Sequence, residues 1–170
     1  MFNLVLINGC GGAGKDTAGR LLLQTLPHCA LLDIKALAQT NPWKFDEYHL
    51  GLANAALIVR NYFEAGFPTV VFTGGLSSQE RLDFLQSLLP PGSRPLYVWI
   101  DVPKQLRDPR RVLRNRDEAD KVQYLDTVDA VFTDPGDLSV DGGKYLRIDA
   151  EKLSPADVIA RIQAELSKDC

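Results

Sequence analysis

A glycine-rich turn near the amino end constrains the fold more than any other feature of this 170-residue chain. The turn, Gly9-Cys-Gly-Gly-Ala-Gly14, lies between the apolar residues 4–7 and an amphipathic segment that begins at Asp16. An uninterrupted apolar run is typical of a strand buried on both faces of a parallel sheet, and leucines three and four residues apart are typical of a helix. The sequence therefore predicts a strand, a tight loop and a helix in succession, as in an α/β fold.

The loop has the residue types that bind phosphate groups. Glycine permits backbone angles that point successive N–H groups into one concavity, and the following helix adds the positive end of its dipole. Lys15 follows Gly14 with the spacing of a nucleotide-binding P-loop (residues 9–17) and supplies a cation for the terminal phosphates. The pattern predicts a site for a nucleoside triphosphate with Mg²⁺. Its predicted residues are Gly9, Gly11, Gly12, Ala13, Gly14, Lys15, Asp16 and Thr17.

The residue after the lysine departs from the usual P-loop pattern. A hydroxyl that helps hold Mg²⁺ normally stands there, but this chain has Asp16, and the hydroxyl follows at Thr17. Asp16 could lie near the magnesium as an anionic outer-shell group. Alternatively, Asp16 caps the start of the helix while Thr17 and waters serve the metal, which is favoured because a carboxylate repels a triphosphate unless the ion intervenes.

The rest of the chain alternates apolar runs with amphipathic segments, which predicts helices packed on a mostly parallel, five-stranded sheet in one domain, residues 1–170. Further strands are predicted at residues 29–32, 69–72, 96–100 and 144–148. Helices are predicted at residues 16–26 and about 46–65, and from a capping box at 77–80. Two more are expected after Pro103, with a restart at Asp108-Pro109, and from Ser154-Pro155.

Composition and charge exclude several classes of protein. With 19 basic and 22 acidic residues, the formal net charge is −3, which argues against a nucleic-acid polymer as partner. No apolar stretch approaches the ~20 residues of a membrane span. The three cysteines have no zinc-binding spacing. We expect a cytoplasmic monomer or homodimer whose partner is a small molecule.

With this layout the sequence resembles the P-loop small-molecule and nucleotide kinases. The group includes nucleoside monophosphate, shikimate and gluconate kinases and chloramphenicol phosphotransferase-like proteins. The segment Gly14-Lys15-Asp16-Thr17 is similar to the Gly-Lys-Gly-Thr of adenylate kinases and the Gly-Lys-Asp-Thr of some phage deoxynucleotide kinases. The resemblance implies a three-layer P-loop fold, ATP and Mg²⁺ as cofactors, and an arginine-rich lid segment at about residues 104–143.

Asp33 and Lys35 are candidates for the acceptor side of the site. Asp33 ends the second predicted strand, at the sheet edge where ligands bind in α/β folds, and lies near the phosphates if that strand neighbours the first. The resemblance implies that this acid meets the acceptor hydroxyl or the magnesium shell, whereas the alternative is a helix cap. Lys35 could bind an acceptor anion or be solvated. Asp101 is a rival acid, interpreted as the cap of the helix at Pro103.

Glycines and an arginine extend the candidate acceptor site. Gly74 and Gly75 follow the third strand, where missing side chains would let an acceptor approach the backbone, or would simply permit a tight turn. Arg60 lies with Asn54 and Asn61 near the apolar stripe of the long helix, so these side chains could face an acceptor or satisfy core backbone groups.

Five arginines stand within residues 107–116 of this acidic chain. Arg107, Arg111 and Arg114 share a helix face if Pro109 does not break the register. Guanidinium groups suit phosphate oxygens, and the resemblance implies a lid over ATP. Arg107 is therefore assigned to cofactor binding, and Arg111 and Arg114 to catalysis. The alternative is a solvated basic face paired with nearby acids.

These residues predict an ATP-dependent phosphotransferase that acts on a small hydroxylated molecule. The adenylate-kinase-type Gly-x-Pro-Arg motif is absent after the third strand, where Thr73-Gly-Gly-Leu76 stands, and this weakens a nucleoside monophosphate acceptor. A nucleoside or deoxynucleoside monophosphate kinase and a P-loop ATPase or nucleotide-binding regulatory module are the alternatives. A GTPase is disfavoured because no guanine-reading Asn-Lys-x-Asp is present.

Overall fold

A five-stranded parallel sheet positions the rest of the molecule. The computed structural model describes residues 1–37, 48–114, 129–130, 136 and 138–168, without the side chains of Val112 and Arg114. The strand order is β2-β3-β1-β4-β5, and every neighbouring pair is parallel. The strands are β1 (Leu4–Asn8), β2 (Cys29–Asp33), β3 (Thr69–Thr73), β4 (Pro95–Asp101) and β5 (Lys144–Asp149). The predicted fold class is confirmed.

Among the described residues, five α-helices with defined bounds connect and cover these strands. They are α1 (Lys15–Thr25), α2 (Tyr48–Glu64), α3 (Gln79–Leu88), α4 (Lys104–Arg114) and α5 (Pro155–Ser167), with a short 3₁₀ helix at Ile34–Ala36. Gly66, at φ +86°, ends α2 as expected, and the Ser154–Asp157 capping box opens α5. Two predictions were wrong in detail. The cap of α3 is Ser78 rather than Ser77, and α4 runs through Pro109 without a restart.

The helices form a layer on each face of the sheet, as the alternation of side chains along each strand requires. In β1, Val5 and Ile7 pack with the apolar residues of α1 and α5, whereas Leu4 and Leu6 pack with those of α2 and α3. All of β1 is buried. This central strand therefore holds the two cores together, and the loop that follows it emerges at the centre of the sheet edge.

Because the strands are parallel, their carboxyl ends meet at one edge of the sheet. The P-loop, Asp33, the Gly74-Gly75 turn and Asp101 all lie there. The sequence placed Asp33 near the phosphates on the condition that β2 neighbours β1. This condition is not met, because β3 lies between the two strands. Asp33 nevertheless pairs in register with Thr73, which is also the partner of Ile7, so all three lie at the same level of the sheet.

The contact between α1 and the sheet makes a testable prediction. A Cβ atom at Gly19 would lie 2.7 Å from Thr73 Cγ2 and 3.0 Å from Leu31 Cδ1. Alanine normally stabilises a helix interior relative to glycine by about 0.5–1 kcal/mol. Here we expect Gly19→Ala to lower the free energy of unfolding by about 1 kcal/mol or more, because the added methyl overpacks the interface. Urea denaturation measures this change.

Arg20→Ala is the matched control for Gly19→Ala, because Arg20 is exposed on the same helix. Its free energy of unfolding should stay within about 0.5 kcal/mol of the native value. A Gly19→Ala variant as stable as the native chain would contradict the tight contact.

Candidate active site

The P-loop backbone forms an open turn in front of α1. Gly9, Gly12 and Gly14 have φ angles of +147°, +83° and +96°, and the Ala13 N–H donates to the Cys10 carbonyl at 3.1 Å. Gly14 is the N-cap of α1 and provides no side-chain hydrogen bond. A Cβ at Gly14 would meet nothing within 4 Å, so the space in front of the helix end is open. The amino-terminal N–H groups of α1 are thus available to an anion.

Lys15 begins α1 beside this opening. Its Cε would lie 3.6 Å from a Cβ at Gly74, so the side chain extends towards the end of β3. Lys15 makes no ion pair with any residue that the structure describes. Burial lowers the pKa of the Lys15 ammonium, and nearby Lys35 lowers it further, whereas the carboxylates of Asp16 and Asp33 oppose this shift. An anion bound here would offset the burial of the charge.

Asp16 does not cap α1, contrary to the favoured interpretation of the sequence. The cap is Gly14, and Asp16 Oδ2 instead pairs with Lys35 Nζ at 3.0 Å. The physical reason is register: Asp16 is the second residue of the helix, where its carboxylate meets the positive helix end and Lys35 but cannot occupy the cap position. The Lys35 side chain is 62% exposed, so this pair is held loosely.

The Asp33 carboxylate caps the short helix that follows it and also acts electrostatically on Lys15. Its Oδ1 accepts the Lys35 N–H at 3.1 Å and caps the 3₁₀ helix, as the capping alternative predicted. The same carboxylate acts electrostatically on Lys15. The structure therefore brings Asp33, Lys35 and Lys15 into one charged cluster at the sheet edge.

The Gly74-Gly75 turn is shaped by its backbone and by its neighbour Ile34. The two glycines have φ angles of +82° and +83°, which other residues rarely adopt. Cβ atoms there would lie 3.2 Å and 2.9 Å from Ile34 side-chain carbons. The space left by the missing side chains is thus filled by Ile34, which favours the tight-turn interpretation over an opening for an acceptor.

The buried Asn8, which the sequence interpretation missed, ties this turn to the P-loop. Its Oδ1 accepts the Leu76 N–H at 3.0 Å, and the Gly74 N–H donates to Ile7 O at 2.9 Å. The sequence did contain a signal for this role. Asn8 is a polar residue at the end of a buried strand, directly before the first P-loop glycine, and such a residue needs a hydrogen-bond partner.

Two arginines of α4 pack against the outer side of the P-loop. Arg107 and Arg111 are buried and share a helix face, as expected, so they are not part of a solvated basic face. Arg107 Nη1 donates to Gly11 O at 3.1 Å, and its Nε donates to Val102 O at 2.9 Å. Both guanidiniums bind Asp129, at 2.9 and 2.8 Å.

Asp129 lies within the predicted lid segment. Asp129 was not predicted as a site residue, although an acid within the arginine-rich lid segment was the signal available. The side chain of Arg114, and the lid residues 115–128, 131–135 and 137, lie outside the described residues.

A cleft of about 300 Å³ opens beside the P-loop and α1. This volume is at the lower end of small-molecule sites. Thr17 lines the cleft, and so does Arg110, which was not among the assigned arginines. The apolar lining is provided mainly by Ile100, Val102, Ala150, Leu153 and Val158. The cleft adjoins the open end of α1, so a ligand with a flat apolar part and an anionic tail would fit both.

Arg60 is not brought into the site, and Asp101, which lies at the same sheet edge as the P-loop, is occupied by an ion pair. Arg60 is exposed on α2, twelve residues after Tyr48 and so about 18 Å further along the helix axis. Since α2 returns from the carboxyl edge to the amino edge of the sheet, this position points away from the P-loop. Asp101 binds the Arg147 guanidinium at the end of β5. Asn54 donates to Leu37 O, which satisfies a backbone group.

Comparison with known proteins identifies the architecture. No family model matches the chain, and no curated protein matches it in sequence. Solved structures do match: a sugar kinase from a Janibacter species has a TM-score of 0.71 at 17% identity over 98% of this chain and 95% of that one. A gluconokinase from Sinorhizobium meliloti has a TM-score of 0.70 at 17% identity, covering 98% and 92%.

A third match is the APS kinase of Mycobacterium tuberculosis, solved with AMPPNP and APS, with a TM-score of 0.67 at 16% identity over 98% of both chains. This chain has the P-loop kinase fold. In the P-loop kinase fold seen here, none of the helices within the described residues combines the length and apolar character that a bilayer crossing requires.

The lowered pKa of Lys15 predicts how stability depends on pH. At neutral pH the buried ammonium destabilises the folded state. As pH rises through the lowered pKa, the folded chain releases this proton before the unfolded chain does, so stability rises until the ordinary lysine pKa of about 10.4. We therefore expect Lys15→Met to be more stable than the native chain at pH 7, with a smaller advantage near pH 10, measured by urea denaturation.

Lys152→Met serves as the control for this pH effect, since Lys152 is exposed. As a surface substitution, it should change the free energy of unfolding at pH 7 by less than about 0.5 kcal/mol. A Lys15→Met variant that is less stable than the native chain at pH 7 would contradict the desolvation of Lys15.

Proposed function

We propose that this protein is an ATP-dependent phosphotransferase that moves the γ-phosphoryl group of Mg²⁺–ATP to a small hydroxylated molecule. One observation carries the proposal. Lys15 has no ion-pair partner among the described residues and stands at the open end of α1, between the cleft and the Asp33 cluster. A cation in that position is stabilised by a polyphosphate, with the nucleoside on one side and the acceptor on the other.

The cleft supports the position of the nucleoside. A purine base would pack between its aliphatic side chains, with the Arg110 guanidinium available to stack on the ring. The triphosphate would then run along Gly11 to Gly14 towards Lys15. Thr17 faces the cleft side, so we assign its hydroxyl to the phosphates nearest the nucleoside rather than to the metal alone.

The residues around Lys15 fit a magnesium ion of the kind that accompanies ATP. Mg²⁺ is usually held by one or two carboxylates together with phosphate oxygens and waters. Asp16 and Asp33 provide two such carboxylates beside Lys15, and no larger cluster of metal-binding side chains occurs within the described residues. Thr17 or Asp16 would hold the ion, with Asp33 on its shell of waters, and the ion would neutralise charge on the transferred group.

The chain's own groups then divide the work of transfer. Lys15 stabilises negative charge on the terminal phosphates, and Asp33 orients the acceptor hydroxyl, since in-line transfer depends mainly on positioning and charge neutralisation. Arg107, Arg111 and Arg114 supply further positive charge. Lys35 borders the same side as Asp33, and its direct contact with an acceptor is part of the proposal, whereas Gly74 and Gly75 only shape the turn beside them.

The choice of a hydroxylated acceptor is supported by the fold neighbours. They include a sugar kinase, a gluconokinase and, at 20% identity and a TM-score of 0.56 over 99% of this chain and 95% of that one, a shikimate kinase from Acinetobacter baumannii in complex with shikimate. A nucleoside monophosphate acceptor and a partner-driven ATPase are the competing functions. Neither has a specific observation in its favour.

A screen of acceptors tests the proposal. We expect ADP formation by the native protein to rise severalfold when one of a pool of sugars, sugar acids or other hydroxylated metabolites is added. Lys15→Met should abolish this turnover while the protein remains folded, and Lys152→Ala should retain it. Stimulation by nucleoside monophosphates alone, or only by a protein partner, would overturn the choice of acceptor, and normal turnover in Lys15→Met would overturn the proposal.

Asp33→Asn separates acceptor positioning from nucleotide binding. We expect turnover to fall at least about 100-fold, as when a positioned acid-base group is lost, with the Kd for Mg²⁺–ADP changed less than about threefold. Calorimetry and steady-state kinetics measure the two quantities. Asp83→Asn, an exposed carboxylate on α3, is the control. A collapse of nucleotide affinity would instead assign Asp33 to the metal.

A further inference from the structure

Two buried arginines and one carboxylate form an unusual charge cluster on the outer side of the P-loop. The Nη1 atoms of Arg107 and Arg111 bind the same oxygen, Oδ2 of Asp129, at 2.9 and 2.8 Å. Asp129 Oδ1 has no hydrogen-bond partner within the described residues. A single carboxylate oxygen thus joins two guanidinium groups that belong to successive turns of α4.

The Asp129 carboxylate offsets the electrostatic repulsion between the guanidinium groups of Arg107 and Arg111. Because both Nη1 atoms bond one oxygen, they lie less than about 6 Å apart, a distance at which like charges repel strongly unless an anion intervenes. Water screens this repulsion weakly, since the two arginine side chains are only 8% and 6% exposed. Asp108 approaches Arg111 at 3.5 Å but also pairs with Lys104, so it compensates the charge only partly.

The cluster lies against the loop that the proposed nucleotide would occupy. Arg107 donates to Gly11 O, and the Nε, Cζ and Nη2 atoms of Arg111 lie 3.1–3.2 Å from the point where a Cβ of Gly11 would be. Among the residues that the structure describes, the two guanidiniums share one bridging carboxylate and are compensated only partly by Asp108, which leaves positive charge behind the glycines. A triphosphate has one more negative charge than a diphosphate, so this positive charge favours the triphosphate.

We propose that Asp129 is a positioning residue that holds Arg107 and Arg111 together against the P-loop, so that the site discriminates in favour of the triphosphate. This inference rests on the proposed function, because it concerns how that site takes up ATP and releases ADP. Asp129 touches no nucleotide in this account and acts through the two arginines. Without the bridge, their mutual repulsion turns one guanidinium away from the loop.

The ratio of two dissociation constants tests the proposal without an acceptor. Calorimetry with Mg²⁺ yields the Kd of ADP and that of AMPPNP, a triphosphate analogue that is not hydrolysed. We expect Asp129→Asn to lower the ratio of the ADP Kd to the AMPPNP Kd about tenfold, as for the loss of one charge-assisted interaction. Asp129→Glu should keep at least half of the native ratio, and Asp83→Asn should keep all of it.

Each other outcome overturns the proposal. A ratio that rises in Asp129→Asn means that Asp129 only neutralises the arginines, and equal weakening of both nucleotides means that it only supports the fold. An unchanged ratio, or a Glu variant as poor as the Asn variant, also contradicts it. If Asp129→Asn does not fold, Arg111→Gln decides, since loss of discrimination supports the proposal and native discrimination overturns it.

Failure of the proposed function has a different signature. In that case the native protein binds neither ADP nor AMPPNP, and both proposals fall together. If the native protein binds both nucleotides and the Asp129 variants keep its ratio, only the role of Asp129 is lost.

Discussion

The left-handed turn at Gly14 is the feature on which the rest of the site depends. It ends the P-loop and starts α1 without a side-chain cap, so the first N–H groups of the helix stay open to an anion. It also places Lys15 at the same helix end, where burial lowers the pKa of the ammonium. The other site residues at the sheet edge lie around this helix start, because the P-loop and α1 follow β1, the central strand of the sheet.

Charge around the P-loop is balanced in part by carboxylates of the chain itself. Lys35 is paired with Asp16, and Arg107 and Arg111 are paired with Asp129, whereas Lys15 depends on nearby carboxylates without forming an ion pair to a described residue. Cations held in this way stay in place when the site is empty. Their remaining positive potential is then available to a polyphosphate without large rearrangement, which is the condition for electrostatic preorganisation.

Much of the fold could be predicted because local patterns decide it. The expected strands formed within one or two residues of their predicted ends, the Ser154–Asp157 box starts α5, and Gly66 ends α2, through hydrogen bonds and backbone angles that are local in sequence. The predictions that were wrong also have a physical cause. Ser78 rather than Ser77 caps α3, and Asp16 finds Lys35 instead of a cap, because a cap position depends on where the chain enters the helix.

The amino-acid sequence by itself determined the strand–loop–helix unit, the glycines that shape it and the lysine that it presents, since these follow from backbone freedom and spacing between neighbours. Only the tertiary structure decided that β3 lies between β1 and β2, that Arg60 points away, and that Asp129 joins Arg107 to Arg111. Strand order and long-range ion pairs arise from the packing of whole elements across the sheet. No local pattern encodes which distant carboxylate two buried arginines will share.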